Sequence, residues 1–215
     1  MPTHRVERGA TVEKVAAFIT RDPDYVSDPA SSRERQLLVF RHPNPRAGIQ
    51  LPAGTVEPRE SLRDAVLREA AEETGLAGLT IVGDPIRAPL ELADDEWYLV
   101  LHAGGRQLLE DLDLERPVVR IRRTDPERPD RLLLAGSRWT GDPIEWWAAP
   151  SLVTRDVRRW LFHLAAPPHT PDRWQHTFDT PDPWLFYWLP ATAAPPLVGP
   201  QSAWLALMRS RLLND

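Results

Sequence analysis

Residues Gly54–Leu76 read GTVEPRESLRDAVLREAAEETGL, and this stretch decides the fold. Its second half carries a complete set of helix signals. Ser61 is a good N-cap, Asp64 stands three residues on in the manner of a capping box, and Gly75 fits the position just past a C-terminus. The predicted helix is therefore Leu62–Thr74. On a wheel of about 100° per residue, Glu69, Glu72 and Glu73 share one arc. Val66, Leu67, Ala70 and Ala71 take the neighbouring arc and can face a core. Like charges three and four residues apart destabilise a helix by about 0.2–0.5 kcal/mol per pair. Such a local conflict with folding marks a functional site.

Clustered carboxylates are oxygen-only ligands, which suit a hard divalent cation, Mg²⁺ or Mn²⁺. A cation held there could neutralise a diphosphate and activate water against phosphorus. Arg68 and Glu72 are spaced to pair along the helix, so Arg68 could hold a carboxylate in a ligating orientation. Gly54 precedes the helix in a tight loop, where a bare backbone can approach a metal or phosphate closely. The bland alternative, a solvated helix face, explains REAAEET alone but not the whole stretch.

Outward from this helix, Lys14–Thr20, Gln36–Phe40, Leu79–Val82, Arg158–Ala165 and Trp184–Leu189 read as strands rich in branched and aromatic residues. Ile49–Leu51 is short and extended. Trp97–His102, Val118–Arg122 and Arg131–Leu134 are further strands, with no helix expected between Pro85 and Pro150. Gln201–Leu213 is an amphipathic closing helix. The paired Trp146 and Trp147 could stack a base, but core packing or a domain interface is the favoured reading. Among the histidines only His176, near a late acidic loop, is worth following.

The chain has 215 residues, 42% hydrophobic and 27% charged, enough for one globular domain with a sizeable insertion. With no cysteine, disulfides, thiolate metal sites and cysteine nucleophiles are excluded. The net charge of −5 argues against a nucleic-acid polymer as partner. No apolar run of about 18 residues predicts a membrane span, and the polar N-terminus is no secretory signal. A cytoplasmic enzyme is the simplest expectation.

Gly54, Glu60, Arg68, Glu69, Glu72, Glu73, Gly75 and Leu76 match the Nudix box: G, five residues, E, seven residues, then R-E-U-x-E-E-x-G-U, with U aliphatic. Ala70, smaller than usual, fills the first U. Seven fixed positions coincide by chance about once in 10⁸ start points. Over roughly Val12–Val82 the sequence resembles the Nudix hydrolase family. The resemblance implies an α+β Nudix fold, a mixed sheet between helices. It implies Glu69 and Glu73 as main metal ligands, Glu72 as a further ligand or one acting through water, and the Gly54 carbonyl as another. Arg68 would orient the glutamates, and Glu60 would support the motif structurally. The implied reaction is Mg²⁺-dependent (Mn²⁺ an alternative) cleavage of a diphosphate bond in a small, nucleotide-derived substrate. A non-catalytic nucleotide sensor is the runner-up, against which the intact box argues. The Nudix-fold isomerases use a cysteine that is missing here. Which diphosphate is cleaved stays open, from nucleoside triphosphates and nucleotide sugars to ADP-ribose, dinucleoside polyphosphates and coenzyme A.

Two expectations reach beyond the box. Family members often recruit a late-loop carboxylate as ligand or general base, and Asp179 and Asp182 occupy that place, with Glu96 next. In the family pattern Arg158–Ala165 follows Leu79–Val82 as a core strand. The chain would then be one Nudix domain, 1–215, with a β-rich insertion at about 90–150 that caps the site, selects the leaving group or forms a homodimer contact. The alternative, less favoured because so long a loop is unusual, is that Trp97–His102 is itself the core strand and the rest a long loop with a hairpin.

Overall fold

The structure is a computed structural model and describes residues 10–22, 34–89, 92–178 and 180–214. In chain order the elements are β1 (Val12–Arg21), β2 (Gln36–Arg41), β3 (Ile49–Gln50), β4 (Ala53–Thr55), α1 (Leu62–Thr74), β5 (Thr80–Ala88), β6 (Glu96–Leu99), α2 (Gly105–Asp111), β7 (Val118–Thr124), β8 (Leu132–Ser137), β9 (Pro143–Ala148), β10 (Val153–Thr154), β11 (Val157–Ala165), β12 (Arg173–His176), β13 (Trp184–Pro190) and α3 (Gln201–Asn214). They divide into two compact units, one of residues 14–89 and 159–214, the other of residues 10–13 and 92–158.

The first unit is built on an eight-stranded sheet in the order β12-β13-β2-β1-β11-β5, with β3 against β2 and β4 against β1. Strand side chains alternate between faces, and here both faces are buried. On β1 and β2, Val15, Ala17, Ile19, Leu38 and Phe40 join one core with Ala65, Val66 and Ala70 of α1. The intervening Ala16, Phe18, Leu37 and Val39 join a second core with Trp204, Leu205, Met208 and Leu212 of α3. The near-continuous apolar runs VAAFI and LLVF are thus explained by a helix on each side. Phe40 stacks on Trp184 at 4.6 Å between ring centres, and Trp174 on Phe186 at 5.2 Å, which fixes β12 and β13 to the α1 side. Among the described residues no helix is long and apolar enough to cross a membrane.

The second unit is a five-stranded sheet, β10-β6-β7-β8-β9, over a core of Leu99, Leu114, Val119, Leu132, Leu134, Ala148 and Val153. One expectation needs correcting: this stretch does contain a helix, α2, which follows a 3-10 turn at Leu101–Ala103. The expected strand Trp97–His102 accordingly stops at Leu99. Trp146 packs on the core, whereas Trp147, its neighbour on β9, is 38% exposed with the Arg123 guanidinium 5.5 Å from its ring centre. Glu96 is buried and occupied: it accepts from the Ala93 amide and from Arg120, 3.0 Å away.

Strand pairing separates the two sheets. β11 pairs with β5, from Arg159↔Ala88 to Ala165↔Thr80, whereas β6 pairs with β7 and β10.

Candidate metal and phosphate site

The helix signals act as their chemistry requires. The Ser61 hydroxyl accepts from the Asp64 amide at 3.1 Å and donates to the Asp64 carboxylate at 2.7 Å. At the other end Gly75 adopts φ 72°, the left-handed conformation that a side chain disfavours, and its N–H reaches the Ala71 carbonyl.

Between these ends the three glutamates have different fates. Glu69 is 9% and Glu73 7% exposed, while Glu72 stays at the surface. The buried pair is received by β4. The Thr55 amide donates to Glu69 Oε1 at 3.0 Å, and the Ala53 amide to Glu73 Oε2 at 3.1 Å. Residues two apart on a strand turn their peptide groups to the same side. Ala53 and Thr55 therefore face α1. Gly54, opposite Val15 in the ladder, turns its own peptide groups toward β1.

What Gly54 supplies is space. A Cβ there would lie 1.8 Å from Glu69 Cδ and 2.1 Å from each Glu69 carboxylate oxygen. The carboxylate rests on the glycine backbone.

Arg68 binds the loop to the helix. Its Nε and Nη2 donate to the two oxygens of Glu60 at 2.8 and 2.9 Å, a bidentate pair. Nη2 also donates to the Thr55 carbonyl at 3.1 Å, and Nη1 lies 3.1 Å from both Glu69 and Glu72. The hydrogen bond from Arg68 holds the Glu60 carboxyl below its usual range, and the same bond holds Arg68 far above its own. Burial pushes Glu69 the other way, upward, against the pull of Arg68 and the Thr55 amide, and nearby Glu72 adds to the rise.

A group whose folded pKa is raised stabilises the fold while protonated and loses that contribution as pH rises. Ionised Glu69 therefore strains the fold at neutral pH. Glu69→Gln should be more stable than the parent to urea at pH 7 without added metal. The advantage should disappear below about pH 4.5, where the parent carboxyl is protonated in both states. Equal gains at pH 4 and pH 7 would contradict the cause given.

The loop preceding α1 holds a second strained position. Pro58 and Arg59 form a turn closed by the Glu60 amide on the Glu57 carbonyl at 3.1 Å, with Arg59 at φ 72°. That is the third position of a type II turn, where glycine is preferred. Arg59→Gly should raise the unfolding free energy by about 0.5–1 kcal/mol. Chemical denaturation decides this, and a lower midpoint would count against the strain.

Two residues that the sequence did not single out for this role complete the helix end. Trp174 Nε1 donates to the Thr74 carbonyl at 2.8 Å. His176 Nε2 lies 2.9 Å from the Glu72 carbonyl. Of the late-loop carboxylates, Asp179 lies outside the described residues. Asp182 is exposed in the β12–β13 turn, where its main-chain carbonyl accepts from the Thr180 hydroxyl.

The NUDIX domain profile matches residues 29–146, more than half of the 215-residue chain. The chain belongs to the Nudix family. Its fold is the α+β Nudix fold, with α1 and α3 on opposite faces of the eight-stranded sheet. An uncharacterised Nudix hydrolase of Schizosaccharomyces pombe is 32% identical over 78 residues, 36% of this chain; the chain spans about a third, 35%, of that protein's length. Among solved structures, an Ap4A hydrolase of C. elegans is 16% identical with a TM-score of 0.35 over 94% of both chains. A NUDIX family hydrolase of Clostridium perfringens is 14% identical, TM-score 0.41, over 95% of this chain and 97% of that one. Likeness at these values says nothing about substrate.

Among the described residues no three His, Asp or Glu side chains form a ready-made metal cluster. Glu72 is turned to Arg68. The Nudix helix nevertheless fits a hard divalent ion in donor chemistry: Glu69 and Glu73 offer carboxylate oxygen from successive turns, beside a backbone cradle that a Cβ would fill.

Proposed function

We propose that this chain is a divalent-metal-dependent hydrolase that cleaves a diphosphate bond in a nucleoside diphosphate-linked or related small substrate, with Mg²⁺ as the working ion and Mn²⁺ as a substitute. One observation carries the reading: two buried carboxylates, Glu69 and Glu73, are held a helical turn apart by the Thr55 and Ala53 amides. Two like charges buried a helical turn apart oppose folding even with Arg68 beside Glu69, and such a local conflict is characteristic of a site kept for a cation.

In this reading Glu69 and Glu73 hold the metal, and Glu72 adds a ligand directly or through water. A bound divalent cation supplies charge neutralisation at the diphosphate and a more acidic water. Arg68 holds the carboxylates in orientation, Glu60 holds Arg68, and the main chain around Gly54 closes the site against Glu69. A carboxylate from the loop after β12, Asp179 or Asp182, acts as the further ligand or base. The chain works in the cytoplasm. Residues from about 90 to 150 are an insertion within one Nudix domain, a reading supported by the direct pairing of β5 with β11. The test is a panel of nucleoside triphosphates, nucleotide sugars, ADP-ribose, dinucleoside polyphosphates and coenzyme A with Mg²⁺, products identified by mass. Cleavage between phosphorus atoms of one class, abolished by chelation, is expected. No metal-dependent cleavage of any member would overturn the proposal.

A further inference from the structure

A helix leaves its last four carbonyls without partners inside the helix. In α1 these belong to Ala71, Glu72, Glu73 and Thr74. Gly75 answers Ala71. The amide of Leu76 is diverted to the Thr74 hydroxyl at 3.1 Å. The carbonyls of Glu72 and Thr74 are then met from outside the helix by two side chains of β12, His176 and Trp174. The two are spaced two apart on the strand, so they project from the same face.

The fit is close on both sides. Trp174 stacks on Phe186 at 5.2 Å, which fixes its ring, and a Cβ on Gly75 would come within 2.8 Å of His176 Nδ1. A carbonyl only accepts, so the hydrogen at His176 Nε2 belongs to the ring. Last turns of helices fray readily. Here the last turn bears Glu72 and Glu73, and the Glu73 carboxylate reaches the Ala53 amide only while that turn is formed.

We propose that Trp174 and His176 are positioning residues: by holding the end of the Nudix helix they keep Glu73, and with it Glu72, placed for the divalent ion. The inference rests on the metal reading above. Neither side chain touches the reacting groups; each acts through a backbone carbonyl of the helix.

Three variants test it. His176→Ala removes the donor, His176→Gln restores an N–H of similar reach, and Trp174→Phe keeps an aromatic ring against Phe186 while losing its N–H. Mn²⁺ affinity, measured by titration on the whole chain, should weaken about 10-fold or more in His176→Ala and Trp174→Phe. It should recover in His176→Gln. Amide exchange of residues 72–76 should speed up in the two weakened variants, with exchange in β1 and β2 unchanged. On a confirmed substrate, kcat at subsaturating metal should fall more than KM changes.

Unchanged exchange at the helix end in both weakened variants overturns the proposal, whether or not metal binds. So does wild-type Mn²⁺ affinity in both, or a loss that His176→Gln fails to recover. If the parent chain itself binds no Mn²⁺, the metal reading fails and the positioning role fails with it, while faster exchange would still register the loss of the brace.

Discussion

Replacing Glu73 with glutamine is expected to lower turnover of a confirmed substrate about 10²-fold or more while leaving the chain folded. Glutamine keeps the shape of the side chain, and its carbonyl oxygen can still accept from the Ala53 amide that now holds Glu73 Oε2. What disappears is one negative charge, 7% exposed and one helical turn from Glu69. Two effects on stability share a sign. Repulsion between like charges four residues apart is relieved, about 0.2–0.5 kcal/mol, and a neutral group is easier to bury than an ion. The variant should therefore unfold at the same or higher urea concentration. Opposite movement of activity and stability is the signature of a residue retained for function. Turnover equal to the parent's at saturating Mg²⁺ would sink the metal-ligand assignment. A large loss of stability would show that Glu73 is structural instead.

The parts of this chain that were legible in its sequence are those where local signals agree. The bounds of α1 follow from Ser61, Gly75 and the apolar spacing between them, and the structure places the helix at Leu62–Thr74. The central strands β1 and β2 announce themselves by runs of apolar residues. β12 does not: in RWQH the exposed Arg173 and Gln175 alternate with Trp174 and His176, whose partners are carbonyls about 100 residues earlier. Short-range pattern contains no sign of such a bond. α2 was hidden because it opens after Gly104 without a side-chain cap and runs for seven residues, too short to show a period. The wheel put Glu69, Glu72 and Glu73 on one face. It could not tell that β4 would bury two of them and leave the third to Arg68, because that depends on amides from Ala53 and Thr55.

Gly54→Ala should cripple the site with a single methyl group. The added Cβ would stand 1.8 Å from Glu69 Cδ, far inside contact distance, so one of the two must move. β4 has little freedom to retreat, being paired to β1 at Val15↔Gly54 and on either side of it. The Glu69 carboxylate must yield, giving up the Thr55 amide and its place beside Arg68. Loss of about 10²-fold in turnover is expected, since a displaced carboxylate is no better than a missing one. Crowding of a packed position should also cost about 1–3 kcal/mol of stability. Backbone strain is not the reason, because Gly54 is not among the glycines with positive φ. A double-mutant cycle separates these causes. In a Glu69→Ala background the crowding atoms are gone, so Gly54→Ala should become nearly neutral in urea unfolding. If it costs as much there as in the parent chain, the contact with Glu69 is not what reserves this position for glycine.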